Sequence, residues 1–238
     1  MVAEWEAHAA WWRREFTGGA DEEYVEQILP LVEASLPARG TVLDLGCGDG
    51  QVGRYAASPA RCVLGIDAVR SQLTAARAVD GPLFAQGAIA DLPVASSSVD
   101  AVVCSLVLEH VADLAGALHE VARVLRTGGV LVVVMNHPLL QTPGSGWIDD
   151  QVVEPPEQYW RIGAYLREVT TVEEVDDGVE LTFHHRPLGR YVNEAGDRGL
   201  RLEHLDEPAP PASHLERYWN FSRADTIPRL AVLRFRAG

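Results

Sequence analysis

The chain has 238 residues, 47% of them hydrophobic, and a formal net charge of −14. This length and composition suit one α/β domain with a sizeable core. A strongly acidic surface repels phosphate backbones and therefore disfavours nucleic acid as a partner. Because no run is long enough to span a membrane and the first ten residues already contain Glu4 and Glu6, we expect a cytoplasmic protein without a membrane partner.

Residues 1–40 are predicted to form an N-terminal helical cover. Trp5, Trp11 and Trp12 recur at helical spacing, and a second apolar series begins at Tyr24. Packing against the sheet is the simplest interpretation of these aromatic side chains. For Tyr24 alone, a place in the binding pocket stays open.

The next stretch combines a short buried strand with a run of glycines. Thr41 to Leu45 are mostly apolar or β-branched, and glycines follow at positions 46, 48, 50 and 53. Glycine has no Cβ, so a ligand can lie directly against the backbone. Such a loop at the carboxyl end of a first parallel strand is typical of nucleotide-binding proteins.

Two ligand classes use a loop of this kind. Gly48, Gly50 and Gly53 fit the GxGxxG pattern of dinucleotide-binding proteins, with Asp67 at about the distance expected of a ribose ligand. The alternative pattern, D-x-G-x-G-x-G, begins at Asp44 and places an acid at the end of the strand. A carboxylate there would repel a pyrophosphate, whereas it would attract the cationic amino group of a methionine-like ligand.

Strands and helices then alternate up to residue 135. The strand patterns that follow the first are Arg61–Asp67, Leu83–Gln86, Ala101–Ser105 and Val130–Met135. A helix is predicted from Asp113 to the glycine pair at 128 and 129. Alternation of this kind predicts an α/β fold with a doubly wound, mostly parallel sheet.

The sequence VLDLGCGDG at residues 42–50 closely resembles the first motif of the class I S-adenosylmethionine (SAM) dependent methyltransferases. Asp-Leu-Pro at 91–93 and LEHV at 108–111 look like later motifs of the same family. The resemblance is dense over residues 41–136, which it assigns as the SAM-binding core. It implies a Rossmann-like methyltransferase fold with a mostly parallel seven-stranded sheet, closed by an antiparallel pair, and SAM as the cofactor.

The resemblance also implies which residues contact the cofactor. Asp67 matches the acid that binds the ribose hydroxyls, and Ala68 flanks the adenine. Asp91 matches the acceptor of the adenine amino group, and the backbone at Ala90 meets the edge of the ring. The other expected contacts lie in the glycine loop and in or beside the later motifs: Asp44, Gly46, Cys47, Gly48, Gly50, Leu92, Ser105 and Leu106.

Beyond residue 136, the regular alternation of strand and helix patterns ends. Residues 137–186 are predicted to be an insertion that forms a mobile lid over the acceptor, with an irregular start and a hairpin of Tyr165–Val175 and Val179–His185. Residues 187–238 then complete the core sheet within a single domain. Aromatic residues outside the sheet predict an apolar or aromatic acceptor: Trp147, Tyr159, Trp160, Tyr165 and Trp219.

Methyl transfer mainly requires alignment, but a hydroxyl acceptor also benefits from a general base, for which histidine suits neutral pH. His137 is the first candidate, because it follows the fifth strand by two residues and ligands bind outside the carboxyl ends of strands. His110 and His185 are further candidates. Some quinone-pathway relatives carry E-x-x-E-H for a metal, but Leu106 replaces the first acid here, so no metal is expected.

The three cysteines show no pattern of their own. Cys47, Cys62 and Cys104 lie in or beside predicted strands, without the spacing of a disulfide framework or a metal site. They are therefore predicted to be reduced and mostly buried hydrophobic side chains.

The preferred function is therefore methyl transfer from SAM to a small, apolar or aromatic molecule, with oxygen as the favoured atom. A tRNA or protein methyltransferase of the same fold is an alternative that the acidic charge disfavours. An NAD-linked oxidoreductase and a non-catalytic SAM-binding module are alternatives from other classes. The expected partner is a small-molecule acceptor, with no nucleic acid and no membrane, and the protein is expected to be a monomer or a homodimer.

Overall fold

The computed structural model describes residues 2–217 and 224–238, so Trp219 lies outside the described part of the chain. Its strands are β1 Gly40–Leu45, β2 Arg61–Asp67, β3 Leu83–Gln86, β4 Val99–Ser105, β5 Leu125–Asn136, β6 Gly146–Asp150, β7 Glu157–Arg161, β8 Val169–Asp176, β9 Val179–His185, β10 Leu200–Asp206 and β11 Leu230–Ala237. Its helices are α1 Val2–Phe16, α2 Leu29–Ser35, α3 Gln51–Ala56, α4 Arg70–Arg77, α5 Leu114–Val124, α6 Leu188–Gly196 and α7 Ala212–Arg217.

Seven strands form the main sheet, in the order β3-β2-β1-β4-β5-β11-β10. The pairs from β3 to β5 are parallel, whereas β11 runs antiparallel to both β5 and β10. Residues 130–135 of β5 are buried, which accounts for the unbroken apolar run in that strand. The predicted doubly wound sheet with a closing antiparallel pair is confirmed.

Helix α5 begins where the sequence predicts but ends earlier. Asp113 caps it, because its Oδ1 accepts a hydrogen bond from the N–H of Gly116 at 2.9 Å. The predicted end at Gly128 is wrong, since α5 stops at Val124 and β5 begins at the next residue. Val99 and Ala101 of β4 pair with Leu125 and Val130 of β5, and the register shift between these two pairs accommodates residues 126–129.

The N-terminal segment is helical, and its aromatic side chains pack on one another. A π-helical turn at Tyr24–Ile28 lies between α1 and α2. Trp12 stacks on Phe16 with ring centroids 4.4 Å apart, and Trp11 meets Phe16 edge-on at 5.4 Å. Within the described residues, no helix combines the length and the apolar character that crossing a membrane requires.

Two hairpins separate β5 from α6. The first, β6 with β7, was not predicted, because its residues lack a clear apolar alternation. The second, β8 with β9, was predicted, and β9 has the expected bounds. Three buried side chains of β9 cluster with Trp11 of α1: Val179, Leu181 and Phe183. The second hairpin therefore packs against α1.

Candidate active site

A cavity of about 390 Å³ lies at the carboxyl ends of β1, β2 and β4. Residues of the glycine loop, of the segments after β2 and β4, and of α1 line it. This volume falls within the range of small-molecule sites, and the position is the one at which open α/β sheets bind ligands.

The glycine loop can take its shape only because two of its residues have no side chain. Gly46 has φ +73°, and a Cβ there would lie 2.4 Å from Cγ2 of Val107. Gly50 has φ +86°, and a Cβ there would lie 2.5 Å from the ring of Phe84. Gly46 lines the cavity, whereas Gly50 shapes the loop without being part of the lining. The predicted contact of Gly50 with the cofactor therefore stays a prediction.

Asp67 joins the glycine loop to the end of β2. Its Oδ2 accepts a hydrogen bond from the N–H of Gly48 at 2.8 Å, and its Oδ1 accepts one from the N–H of Val69 at 2.8 Å. Burial raises the pKa of Asp67 despite these bonds. Asp67 also lines the cavity, and a carboxylate oxygen can accept more than one hydrogen bond, as ribose hydroxyls would require.

Asp44, at the end of β1, is a buried acid that lines the cavity. Its Oδ2 has no hydrogen-bond partner among the described residues. Burial, together with the nearby charges of Asp67 and Asp49, raises the pKa of Asp44 to about 7, although a backbone hydrogen bond from Gly53 opposes the shift. A carboxylate with an unpartnered oxygen in this position fits the ammonium group of a methionine-like ligand.

Only some of the residues expected near the adenine line the cavity. Ala68 and the run from Gly87 to Ala90 line it. Asp91 is exposed and lies outside the lining, contrary to expectation. Leu92 is also absent from the lining. It is buried in the core, where its N–H donates to Oε2 of Glu120 at 2.8 Å.

The opposite wall is formed by the end of β4 and the turn after it. Ser105 and Leu106, two of the expected cofactor contacts, line the cavity. Leu106 has φ +55°, and its N–H donates to the carbonyl of Val134 at 2.7 Å, which turns the chain sharply at this point. Next to this turn, burial raises the pKa of Glu109 to about 7. Its Oε1 accepts a hydrogen bond from the N–H of Asn136 at 3.1 Å.

Of the three predicted histidines, His110 is the one that lines the cavity. Its Nδ1 lies 2.8 Å from the carbonyl oxygen of Thr182 on β9. The ring packs between Trp5, at 4.9 Å between centroids, and Phe183, at 4.5 Å. Burial lowers the pKa of His110 to about 4, so the imidazole is neutral near pH 7.

His137 and His185 are not placed as the sequence led us to expect. His137 is buried outside the cavity lining, with Nε2 2.7 Å from Oε1 of Glu207 and Nδ1 accepting from the N–H of Leu139 at 3.1 Å. His185 is also buried, with Nε2 2.8 Å from the carbonyl oxygen of Tyr165. Because these contacts are structural, neither ring is available to an acceptor in the cavity.

The aromatic side chains in the cavity come from the N-terminal segment. Trp5, Trp12 and Tyr24 line it, whereas no described residue of 137–186 does. Trp147 and Trp160 instead pair across β6 and β7 with centroids 5.6 Å apart. The expectation that the insertion covers the acceptor therefore stays a prediction. In this structure α1 covers the cavity, and the second hairpin packs against α1. The seven-residue spacing of Trp5 and Trp12, which puts both on one helix face, was the available signal.

The carboxyl end of α1 is fastened to the glycine loop. The N–H of Gly18 donates to Oε1 of Gln51 at 2.8 Å, and Nε2 of Gln51 donates to the carbonyl of Phe16 at 3.1 Å. Arg13 donates to Oε1 of Gln72, which also lines the cavity, at 3.0 Å. Gln51 and Gln72 are site residues that the sequence did not reveal, because a lone glutamine in a helix carries no pattern.

The three cysteines differ in exposure. Cys47 and Cys104 are buried, while Cys62 is exposed. In the part of the chain that the structure describes, no three His, Cys, Asp or Glu side chains are grouped as a metal site. Glu109 and His110 are adjacent in sequence but bind Asn136 and Thr182, respectively.

Comparison with known proteins gives a consistent result. Residues 43–133 match the family profile described as a methyltransferase domain. A Mycolicibacterium smegmatis protein named "Probable S-adenosylmethionine-dependent methyltransferase" is 36% identical over 138 residues, 55% of this chain and 52% of that protein. An uncharacterized methyltransferase of Synechocystis is 34% identical over 122 residues, 50% of this chain and 57% of that protein. The chain thus spans about half the length of these curated relatives.

The likeness to a solved structure extends over most of the chain. The S-adenosylmethionine dependent methyltransferase from Mesorhizobium loti aligns with a TM-score of 0.70 and 28% identity, over 87% of this chain and 96% of that one. The resemblance that the glycine loop suggested is confirmed, and the dinucleotide interpretation of the same glycines is set aside. Residues 43–133 thus form a methyltransferase domain of the class I S-adenosylmethionine-dependent type, and SAM is the cofactor that this domain and fold imply.

Proposed function

We propose that this protein transfers the methyl group of SAM to an oxygen atom of a small, apolar or aromatic molecule. One observation carries the proposal: a single cavity joins the glycine loop to a wall of Trp5, Trp12 and Tyr24, with the neutral imidazole of His110 in the same lining. A cavity of this composition provides a cofactor site, an apolar acceptor site and a proton acceptor together.

The residues present fit SAM. The unpartnered Oδ2 of Asp44 would hold the ammonium group, and Asp67 would hold the ribose hydroxyls. Ala68 and the backbone near Ala90 would border the adenine. When bound, SAM supplies an electrophilic methyl group on a sulfonium centre. Gly46, where a Cβ would be 2.4 Å from Val107, leaves the loop no room for any larger residue.

His110 would act as the proton acceptor. Its Nδ1 faces a carbonyl, which only accepts hydrogen bonds, so Nδ1 carries the proton and Nε2 is the basic nitrogen. A hydroxyl oxygen becomes strongly acidic as it gains a methyl group. A base whose pKa is about 4 can therefore receive that proton, although it could not ionise the free hydroxyl.

The aromatic wall and the helical cover would select and enclose the acceptor. Trp5 and Trp12 offer flat apolar faces, and α1 is fastened to the glycine loop through Gln51. A covered cavity excludes water, and together with the charge of −14 it favours a small molecule over tRNA.

A screen with methyl-labelled SAM tests the proposal. Phenols and aliphatic alcohols would be compared with matched amines and with bulk tRNA, using wild type and His110→Gln. We expect label transfer to a hydroxyl compound, reduced strongly in His110→Gln while SAM binding by calorimetry is kept. Transfer to amines or tRNA alone would assign a different acceptor, and SAM binding without any transfer would indicate a non-catalytic module.

A further inference from the structure

One residue of the second hairpin connects α1 to His110. Thr182, on β9, uses its N–H and its side chain toward α1: Oε1 of Glu4 accepts from the N–H at 2.8 Å, and Oε2 accepts from Oγ1 at 2.7 Å. The carbonyl of the same residue lies 2.8 Å from Nδ1 of His110. Three polar groups of one residue are thus used in a single path from α1 to the cavity wall.

The two hydrogen bonds between Glu4 and Thr182 are strong ones. Burial would by itself raise the pKa of Glu4, but the two hydrogen bonds from Thr182 outweigh it, and the pKa lies below its usual value. Glu4 is therefore ionised at neutral pH, and its bonds to Thr182 are charge-assisted.

The carbonyl of Thr182 determines which nitrogen of His110 is basic. Without that acceptor, a neutral imidazole can carry its proton on either nitrogen. With it, the proton is held on Nδ1, and the lone pair is on Nε2. Trp5 and Phe183, whose rings lie 4.9 and 4.5 Å from that of His110, restrict rotation of the ring.

We propose that Thr182 is a positioning residue for His110 and that Glu4 holds Thr182 in place, so that the inserted hairpin and α1 together set the tautomer of the base. The proposal rests on the proposed function, in which His110 receives the acceptor proton. In this proposal the second hairpin contributes to the reaction, although none of its described residues lines the cavity.

The tautomer can be measured without any turnover. Two-bond ¹⁵N–¹H correlation spectra of the full chain, with and without SAM, distinguish Nδ1–H from Nε2–H for His110. The variants are Glu4→Ala and Thr182→Val, the second of which keeps the carbonyl and removes the hydroxyl. The matched controls are Glu6→Ala, on the same helix but bonded to the N–H of Ser71, and Thr171→Val, on β8 and bonded to Glu173.

We expect pure Nδ1–H in wild type and both controls, and a mixed population in Glu4→Ala. Turnover should fall roughly 3- to 30-fold in Glu4→Ala, the scale of weakening one hydrogen bond, with the KM for SAM unchanged. Thr182→Val should show a smaller effect of the same kind. The double variant should lose less than the product of the single losses, because both act through one contact.

Nε2–H in wild type, or an unchanged tautomer and turnover in both variants, would overturn the positioning role. If the tautomers behave as expected but His110→Gln retains full turnover, the proposed base is wrong and the positioning of the ring stands. Circular dichroism identifies a variant that fails to fold, and Thr182→Val then carries the test, since it preserves the shape of the side chain.

Discussion

Oδ2 of Asp67 accepts a hydrogen bond from the N–H of Gly48 at 2.8 Å, which makes the acid after β2 and the loop after β1 one structural unit. The acid expected to bind the ribose therefore also holds the loop against which the rest of the cofactor lies. Substitutions at this position should act on both.

Asp67→Ala should weaken SAM binding by roughly 1–3 kcal/mol, because charge-assisted hydrogen bonds in a partly enclosed site are lost. Isothermal titration calorimetry measures this directly. Asp80→Ala removes an exposed acid of similar size and serves as the control. Affinity equal to that of wild type in a folded Asp67→Ala variant would sink the ribose assignment.

SAM binding should become weaker as the pH falls below 7. The pKa of Asp44 is raised to about 7, so in the free protein this acid gains a proton below that pH, whereas an ammonium ligand needs the carboxylate. The affinity should therefore fall by up to about tenfold per pH unit on the acidic side. Titrations at pH 6 in two buffers of different ionisation enthalpy should reveal release of a proton on binding.

Asp44→Asn is the control for this pH dependence. It should bind SAM more weakly at pH 8 and lose most of the slope below pH 7. Burial also raises the pKa of Asp67, which leaves a residual slope at lower pH. An unchanged slope in Asp44→Asn would show that another group takes up the proton.

His110→Ala and His137→Ala should differ in kind. Loss of a general base lowers turnover by about 10²–10⁴-fold, and we expect this of His110→Ala with SAM affinity kept. His137 is buried and bonded to Glu207 and Leu139, so His137→Ala should instead lower the free energy of unfolding by roughly 1–3 kcal/mol. Measurements of turnover and of urea unfolding for both variants distinguish a loss of catalysis from a loss of stability. The reverse outcome would restore His137 as the base.

Hydrogen exchange should separate the two hairpins. β9 is buried against Trp11 and bonded to Glu4, so its amides should exchange slowly. Among the described strands, β6 and β7 pair only with each other, and Val152 between them is 94% exposed, so their amides should exchange fast. Mass-spectrometric exchange of the free protein measures both. Equal protection of the two hairpins would argue that residues 137–186 behave as one lid.

Turnover should survive treatment with EDTA. Leu106 stands where metal-using relatives have an acid, and Glu109 and His110 bind different partners. Activity of dialysed enzyme with EDTA, then with added Mg²⁺, provides the measurement. Loss of turnover that Mg²⁺ restores would require a metal site completed by the substrate.

The cofactor half of the site could be predicted from the sequence because it is local. The strand, the glycines and Asp67 follow one another within 27 residues, and the geometry of a strand-turn-helix unit places them together. Asp91, by contrast, lies outside the cavity lining. The N–H of its neighbour Leu92 donates to Glu120, on a helix that begins more than 20 residues later, and no local pattern reveals such a contact.

The acceptor half could not be predicted, because it depends on contacts between distant residues. His137 follows β5, as expected, but its Nε2 lies 2.7 Å from Oε1 of Glu207, which is 70 positions further along the chain. His110 reaches the cavity with the help of Thr182, which is 72 positions away. Neither pairing leaves a trace in spacing or composition. Histidines near a sheet edge can thus be ranked only after the tertiary contacts are known.

The support of α1 has a consequence for how the protein is made. α1 is synthesised before β8 and β9, yet Trp11 bonds to Asp176 and Glu4 to Thr182, at separations of 165 and 178 residues. At about 5–20 residues per second, these partners leave the ribosome roughly 8–36 s after the helix. Residues 41–136 can pair into a sheet during that interval, whereas β9, against which Trp11 packs, has not yet been synthesised. The order of synthesis therefore favours a cofactor loop that forms early and a cover that closes last.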